Sequence, residues 1–120
     1  MQLVRIAGVS GALAIAAGAF GAHALASRLS PSLLEAYRTA VLYHLVHSVV
    51  LLALGLYSQS TGRSVSSPAR LLLASIALFS GSLYVLCLTD LRPAAYVTPV
   101  GGLLMIAGWL EIARSLVSKS

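Results

Sequence analysis

The sequence predicts an all-α fold: a four-helix transmembrane bundle made of two helical hairpins, with both termini cytoplasmic. Three observations carry that expectation. Of the 120 residues, 58% are hydrophobic and 9% are charged, whereas a soluble domain carries about 25% charged residues. The mean hydropathy is +0.92. The charges leave four long gaps: 22 uncharged residues between Arg5 and Arg28, 24 between Arg38 and Arg63, 19 between Arg70 and Asp90, and 18 between Arg92 and Glu111. A helix needs roughly 20 apolar residues to cross about 30 Å of hydrocarbon. The four gaps take up 83 residues, so 1–120 reads as a single integral membrane domain with a lipid bilayer as its solvent.

The first span, 4–26, is rich in glycine and alanine. Gly8, Ala12 and Ala16 fall on one stripe, and Ala14, Gly18 and Ala22 on another. Lipid tails are as apolar as leucine, so helices associate in membranes by close packing, which small residues permit. The first helix is therefore expected to be central or to form an interface. Arg5, an apolar run and Ala24-Leu25-Ala26 before Ser27 resemble a secretory signal with its cleavage site. The run exceeds the usual 7–15-residue signal core, so it reads as a span.

Ser30 is a helix cap and Pro31 suits the first helical position, where its missing N–H is not needed. The second helix is expected to start there in the interface and to cross over 39–57, with Glu35 and Arg38 able to pair on its wet first turn. The stretch 58–67, with Gly62 and five serines, is a polar loop. Ser67-Pro68 repeats the cap-then-proline start and opens a third span over 69–89. Asp90-Leu91-Arg92-Pro93 breaks the chain, and Thr98-Pro99 opens a fourth over 98–117. Tyr57 and Tyr96 stand near span ends, where aromatic rings favour the headgroup level. The two halves show no convincing internal repeat. Gly8, Gly18, Gly21, Gly81, Gly101 and Gly102 are the expected helix-packing glycines.

The net charge of +5 is spread singly at the ends of apolar stretches, with no cluster that would track a phosphate backbone, so nucleic-acid binding is excluded. With four crossings, Arg5, Arg63, Arg70, Arg114 and Lys119 lie on one side and Arg28, Arg38 and Arg92 on the other. That bias sets the cytoplasmic side. Cys87, the only cysteine, excludes an intramolecular disulfide and reads as a small hydrophobe.

Polar side chains are costly in hydrocarbon and are the natural places to look for function. His23, Tyr43, His44, His47, Ser48, Ser80, Ser82, Tyr84, Thr89 and Thr98 converge toward the non-cytoplasmic face once helix directions alternate. His44 and His47, three apart, can share a helix face, and His23 can supply a third imidazole. These three are the candidate metal ligands, though no metal or other cofactor is assigned. The competing reading is that the polar groups satisfy one another and tie helices together. Tyr43 and His47, four apart, can form a hydrogen-bonded pair. Glu111 is expected near the cytoplasmic boundary, paired with Arg114 or Arg5. No Ser-His-acid set, phosphate loop or dinucleotide fingerprint occurs, so no catalytic activity is expected.

Four strings then stand out in order: Gly18-Ala19-Phe20-Gly21-Ala22-His23; Tyr43-His44-Leu45-Val46-His47; Phe79-Ser80-Gly81-Ser82-Leu83-Tyr84; and Thr98-Pro99-Val100-Gly101-Gly102 with Gly108-Trp109. Together they resemble the small membrane proteins known as domain of unknown function 423, or UPF0382. The resemblance implies a four-helix multi-pass protein of the bacterial plasma membrane and no assigned activity. Its pattern matches His23, Tyr43, His47, Ser80, Gly81, Tyr84, Pro99 and Gly101. His44 falls at a more variable position, which weakens a metal site built on both His44 and His47, and Glu111 gains no role. Two functions are expected to compete. One is a non-catalytic homo-oligomer or small accessory subunit of a membrane complex. The other is binding or transport of a metal, proton or small solute through the His/Tyr cluster.

Overall fold

The computed structural model describes residues 2–117; Lys119, counted above on the cytoplasmic side, lies outside them. Four helices are long and apolar enough to cross a membrane. Helix α1 (Gln2–Phe20) runs on through a π-helical turn (Gly21–Leu25). It is followed by α2 (Pro31–Thr61), α3 (Ser66–Thr89), a 3-10 turn (Arg92–Tyr96) and α4 (Thr98–Ser115). Alternating directions bring Arg5, Arg63, Arg70 and Arg114 to one end of the bundle, the basic end.

Capping chemistry sets the boundaries. Ser30 Oγ accepts from the Leu33 N–H at 3.3 Å, with Pro31 next to it, so α2 starts as expected. At 31 residues and 1.5 Å per residue it is about 46 Å long, more than the hydrocarbon needs. It runs four residues past Tyr57 because Ser60 and Thr61 turn their hydroxyls back onto the Tyr57 carbonyl. Gly62, at φ 72°, then ends it in the left-handed region. Helix α3 begins three residues earlier than expected. Val65 occupies the cap position, and Ser67 is not a cap: its hydroxyl donates to Glu111 Oε1 at 2.8 Å. Asp90, at φ 56°, ends α3 and pairs with Arg92 at 3.1 Å, an exposed contact of small value. Glu35 and Arg38 make no ion pair.

Helices α2 and α3 are central. α2 packs on α1 and α3, and α3 on α2 and α4. α1 buries only Ala7 and Ala14, and α4 only Gly101, Met105 and Gly108. The expectation of a central first helix is corrected: with short loops, sequence neighbours pack together, and a terminal helix has only one such neighbour. A cluster of Ala7, Leu51, Leu54, Val65, Ala69 and Leu72 fills the basic end, and Leu25, Tyr37 and Cys87 fill the other. At the basic end Arg63 reaches the Ser115 carbonyl at 3.2 Å and Tyr57 Oη at 3.0 Å, placing a cation at the negative end of α4. Glu111 pairs with Arg114 through two bonds of 2.8 and 2.6 Å, and not with Arg5.

The packing glycines divide. A side chain at Gly101 would strike the Phe79 backbone nitrogen and lie 2.7 Å from the Leu78 carbonyl carbon, so α3 and α4 meet backbone to backbone there. At Gly21 it would strike the Tyr37 ring, whose hydroxyl donates to the Ala17 carbonyl where α1 changes to π pairing. Gly18 is moderately tight, 3.3 Å from Val41 Cγ1, and Gly102 is in ordinary contact. Gly8 and Gly81 have nothing within 4 Å, so neither is a packing glycine inside the chain. Gly55 against Val4 and Gly108 against Leu72, both below 3 Å, take their place. Of the two stripes on α1, Ala14 and Gly18 turn inward, while Gly8, Ala12 and Ala16 face outward.

Candidate functional site

The intramembrane polar side chains form two networks that diverge from α2. The first joins α1, α2 and α3. His44 Nδ1 is 2.9 Å from the Tyr84 hydroxyl and Nε2 is 3.1 Å from Ser10 Oγ. Ser10 Oγ is 2.6 Å from Ser48 Oγ, which donates to the His44 carbonyl at 2.7 Å. A hydroxyl owns one hydrogen, and a carbonyl only accepts, which orders the whole chain. Ser48 gives its hydrogen to the carbonyl and so accepts from Ser10. Ser10 in turn accepts from His44 Nε2–H, leaving Nδ1 to accept from Tyr84 O–H. His44 is thereby set as the Nε2–H tautomer.

The second network joins α2 to α4. His47 Nδ1 donates to the Tyr43 carbonyl at 2.7 Å, and Trp109 Nε1–H donates to His47 Nε2 at 3.1 Å. An indole N–H never accepts and a carbonyl never donates, so His47 is the Nδ1–H tautomer. The Trp109 ring stands edge-on to the imidazole at 6.1 Å. The expected Tyr43–His47 pair uses the Tyr43 backbone rather than its hydroxyl, with the rings stacked at an interplanar angle of 16°. Phe79 of α3 closes on Tyr43 at 4.8 Å.

Two smaller ties complete the arrangement. Ser80 donates to the Ala40 carbonyl at 2.8 Å, joining α3 to α2. Ser82 donates to the Phe79 carbonyl at 2.9 Å and lies 2.6 Å from Thr98 Oγ1, joining α3 to the start of α4. By the same counting of hydrogens, Thr98 is the donor to Ser82.

The three candidate metal ligands are not brought together. His44 faces α1 and α3, His47 faces α4, and both nitrogens of each ring are engaged within the chain. His23 is exposed on the π turn, thirteen residues beyond Ser10 and so about 20 Å farther along the helix. Among the described residues no three His, Cys, Asp or Glu side chains gather as a metal site. No buried side-chain nitrogen or oxygen among them lacks a partner. The polar layer also sits deeper than expected, because Ser10 and Trp109 hold it near mid-span. Neither was picked out as a partner from sequence. Ser10 was the legible one, as a lone hydroxyl in an uncharged span.

Comparison with known proteins agrees with this architecture. Residues 17–102 match the family model described as a protein of unknown function (DUF423). The chain is 42% identical over 113 residues to a UPF0382 membrane protein of Staphylococcus saprophyticus, covering 93% of this chain and 94% of that protein. It is 33% identical over 116 residues to the UPF0382 membrane protein YwdK of Bacillus subtilis, covering 95% and 94%. No solved structure matches the chain. Four spanning helices, an internally satisfied polar layer and similarity along nearly the whole length agree: the chain belongs to the UPF0382 (DUF423) family of multi-pass bacterial cell-membrane proteins.

Proposed function

We propose that the protein is a non-catalytic membrane component that works as a homo-oligomer, assembled through the outer face of α1. One observation carries the reading: Gly8, Ala12 and Ala16 form an exposed stripe of small residues on that helix, with no neighbour within 4 Å of a side chain built at Gly8. Small residues four apart let a second helix approach closely, and in lipid that close contact drives association. Val9 and Ile15, exposed on either side, supply the flanking walls. The His/Tyr cluster supports this division of labour, since its hydrogen bonds are made inside the chain and tie the helices that present α1.

Native mass spectrometry of protein purified from its own membrane in mild detergent tests the reading. A defined oligomer of this chain alone is expected. A stable complex with a different protein would instead make it an accessory subunit. A lone monomer at all concentrations would contradict both. A stoichiometric metal or solute lost on replacing His23 and His47 would restore the cluster as a binding site.

A further inference from the structure

A groove of about 400 Å³ opens beside α1, walled by Ile6, Val9 and Leu13 and floored by Ser10 and His44, with Arg5 at its mouth. Ile6 also lines a second hollow of about 430 Å³ at the basic end, where Arg70 meets Gln2 and the hydroxyls of Ser58, Ser64 and Ser66. The two hollows therefore adjoin. Among the described residues neither Arg5 nor Arg70 has an ion-pair partner, in contrast to Arg92 and Arg114. Ser64 and Ser66 bond to each other at 2.7 Å, which uses one hydroxyl hydrogen and leaves the other free to donate. From Arg5 to Leu13 the apolar wall extends eight residues, about 12 Å along the helix, above a floor closed by the Ser10–His44 bond.

We infer that this composite groove binds one anionic phospholipid from the surrounding bilayer, its phosphate between Arg5 and Arg70 and one acyl chain along Ile6, Val9 and Leu13. Charge complementarity selects the occupant. Two unpaired guanidiniums at one membrane boundary attract a phosphate, and no carboxylate lines either hollow. The grooves between α2 and α4 are walled by apolar and aromatic residues with no charge, so they offer nothing to distinguish one headgroup from another. The inference rests on membrane residence and not on self-association, although the groove shares Val9 with the flank of the Gly8–Ala16 stripe.

The test is native mass spectrometry of delipidated protein titrated with phosphatidylglycerol, with phosphatidylcholine of the same chains, and with glycerol 1-phosphate. A one-to-one phosphatidylglycerol adduct is expected, at concentrations where the other two bind several-fold less. Each juxtamembrane arginine contributes about 1 kcal/mol, so Arg5→Gln and Arg70→Gln should each reduce occupancy about fivefold. Arg92→Gln, at the opposite end, should leave it unchanged. Leu13→Trp, at a position 59% exposed, should block the tail channel without disturbing the core. Equal binding of phosphatidylcholine, equal loss with Arg92→Gln, or glycerol 1-phosphate binding as tightly as the lipid would each overturn the assignment. Adduct loss with the oligomer intact, or the reverse, separates this inference from the proposed assembly.

Discussion

The two outer helices bury their inner faces alike and differ in what they turn outward. The exposed face of α4 carries Val100, Leu103, Ile106 and Leu110, between 51% and 67% exposed. The exposed face of α1 also carries large side chains, Val9, Leu13 and Ile15 between 59% and 64% exposed, but a row of small exposed residues, Gly8, Ala12 and Ala16, runs between them. Such a row lets a second helix approach closely, which a face of large side chains alone does not. Placement of the glycines sharpens the contrast. On α4 they point inward, where Gly101 meets the α3 backbone, whereas Gly8 on α1 meets nothing within the chain.

The largest expected effect breaks the inward side of that contrast. Gly101→Leu forces α4 off the α3 backbone and should cost about 3 kcal/mol or more, read as loss of the folded species in size-exclusion and thermal unfolding. Gly8→Leu, with nothing to strike, should leave the unfolding midpoint nearly unchanged. The next effect falls on the outward face. Ala12→Leu with Ala16→Leu should weaken self-association at least about tenfold, or 1.4 kcal/mol, in dilution-dependent energy transfer between labelled copies. Leu103→Ala with Ile106→Ala on α4 should not change it. Equal responses from the two helices would remove the distinction.

Smaller effects come from the polar ties. Trp109→Phe removes the donor to His47 Nε2 and should cost about 1 kcal/mol in detergent unfolding. In a cycle with His47→Ala the double variant should lose less than the sum, because the two side chains share one bond. Ser10→Ala breaks the chain at a hydroxyl link and should cost about 0.6 kcal/mol, near the mean for interhelical hydrogen bonds in lipid.

Much of the fold was legible in the sequence because charge is expensive in hydrocarbon: the gaps between charged residues gave four spans, and Ser30-Pro31 gave the start of α2. Depth and partner choice were not legible. His44 and His47 lie three residues apart, which a helix turns into 60° of divergence, enough to send one imidazole toward α1 and α3 and the other toward α4. Which neighbour each meets depends on helix order around the bundle, and no local pattern encodes that. The Gly8 stripe and the Gly18 stripe look alike in sequence for the same reason; only the placement of α2 decides which one is covered. Ser67 looked like a cap and proved to be a donor to Glu111, because the partner sits 44 residues away.

Cross-linking tests the outward face most directly. Cys87 is the only cysteine and donates to the Leu33 carbonyl at 3.2 Å, a bond that Cys87→Ser can keep. In that background, Ala12→Cys and Leu103→Cys place one thiol on the outer face of α1 or of α4. Oxidation in native membranes should convert the Ala12→Cys protein to a disulfide-linked dimer and leave the Leu103→Cys protein monomeric. A monomeric Ala12→Cys protein beside a cross-linked Leu103→Cys protein would contradict assembly through α1.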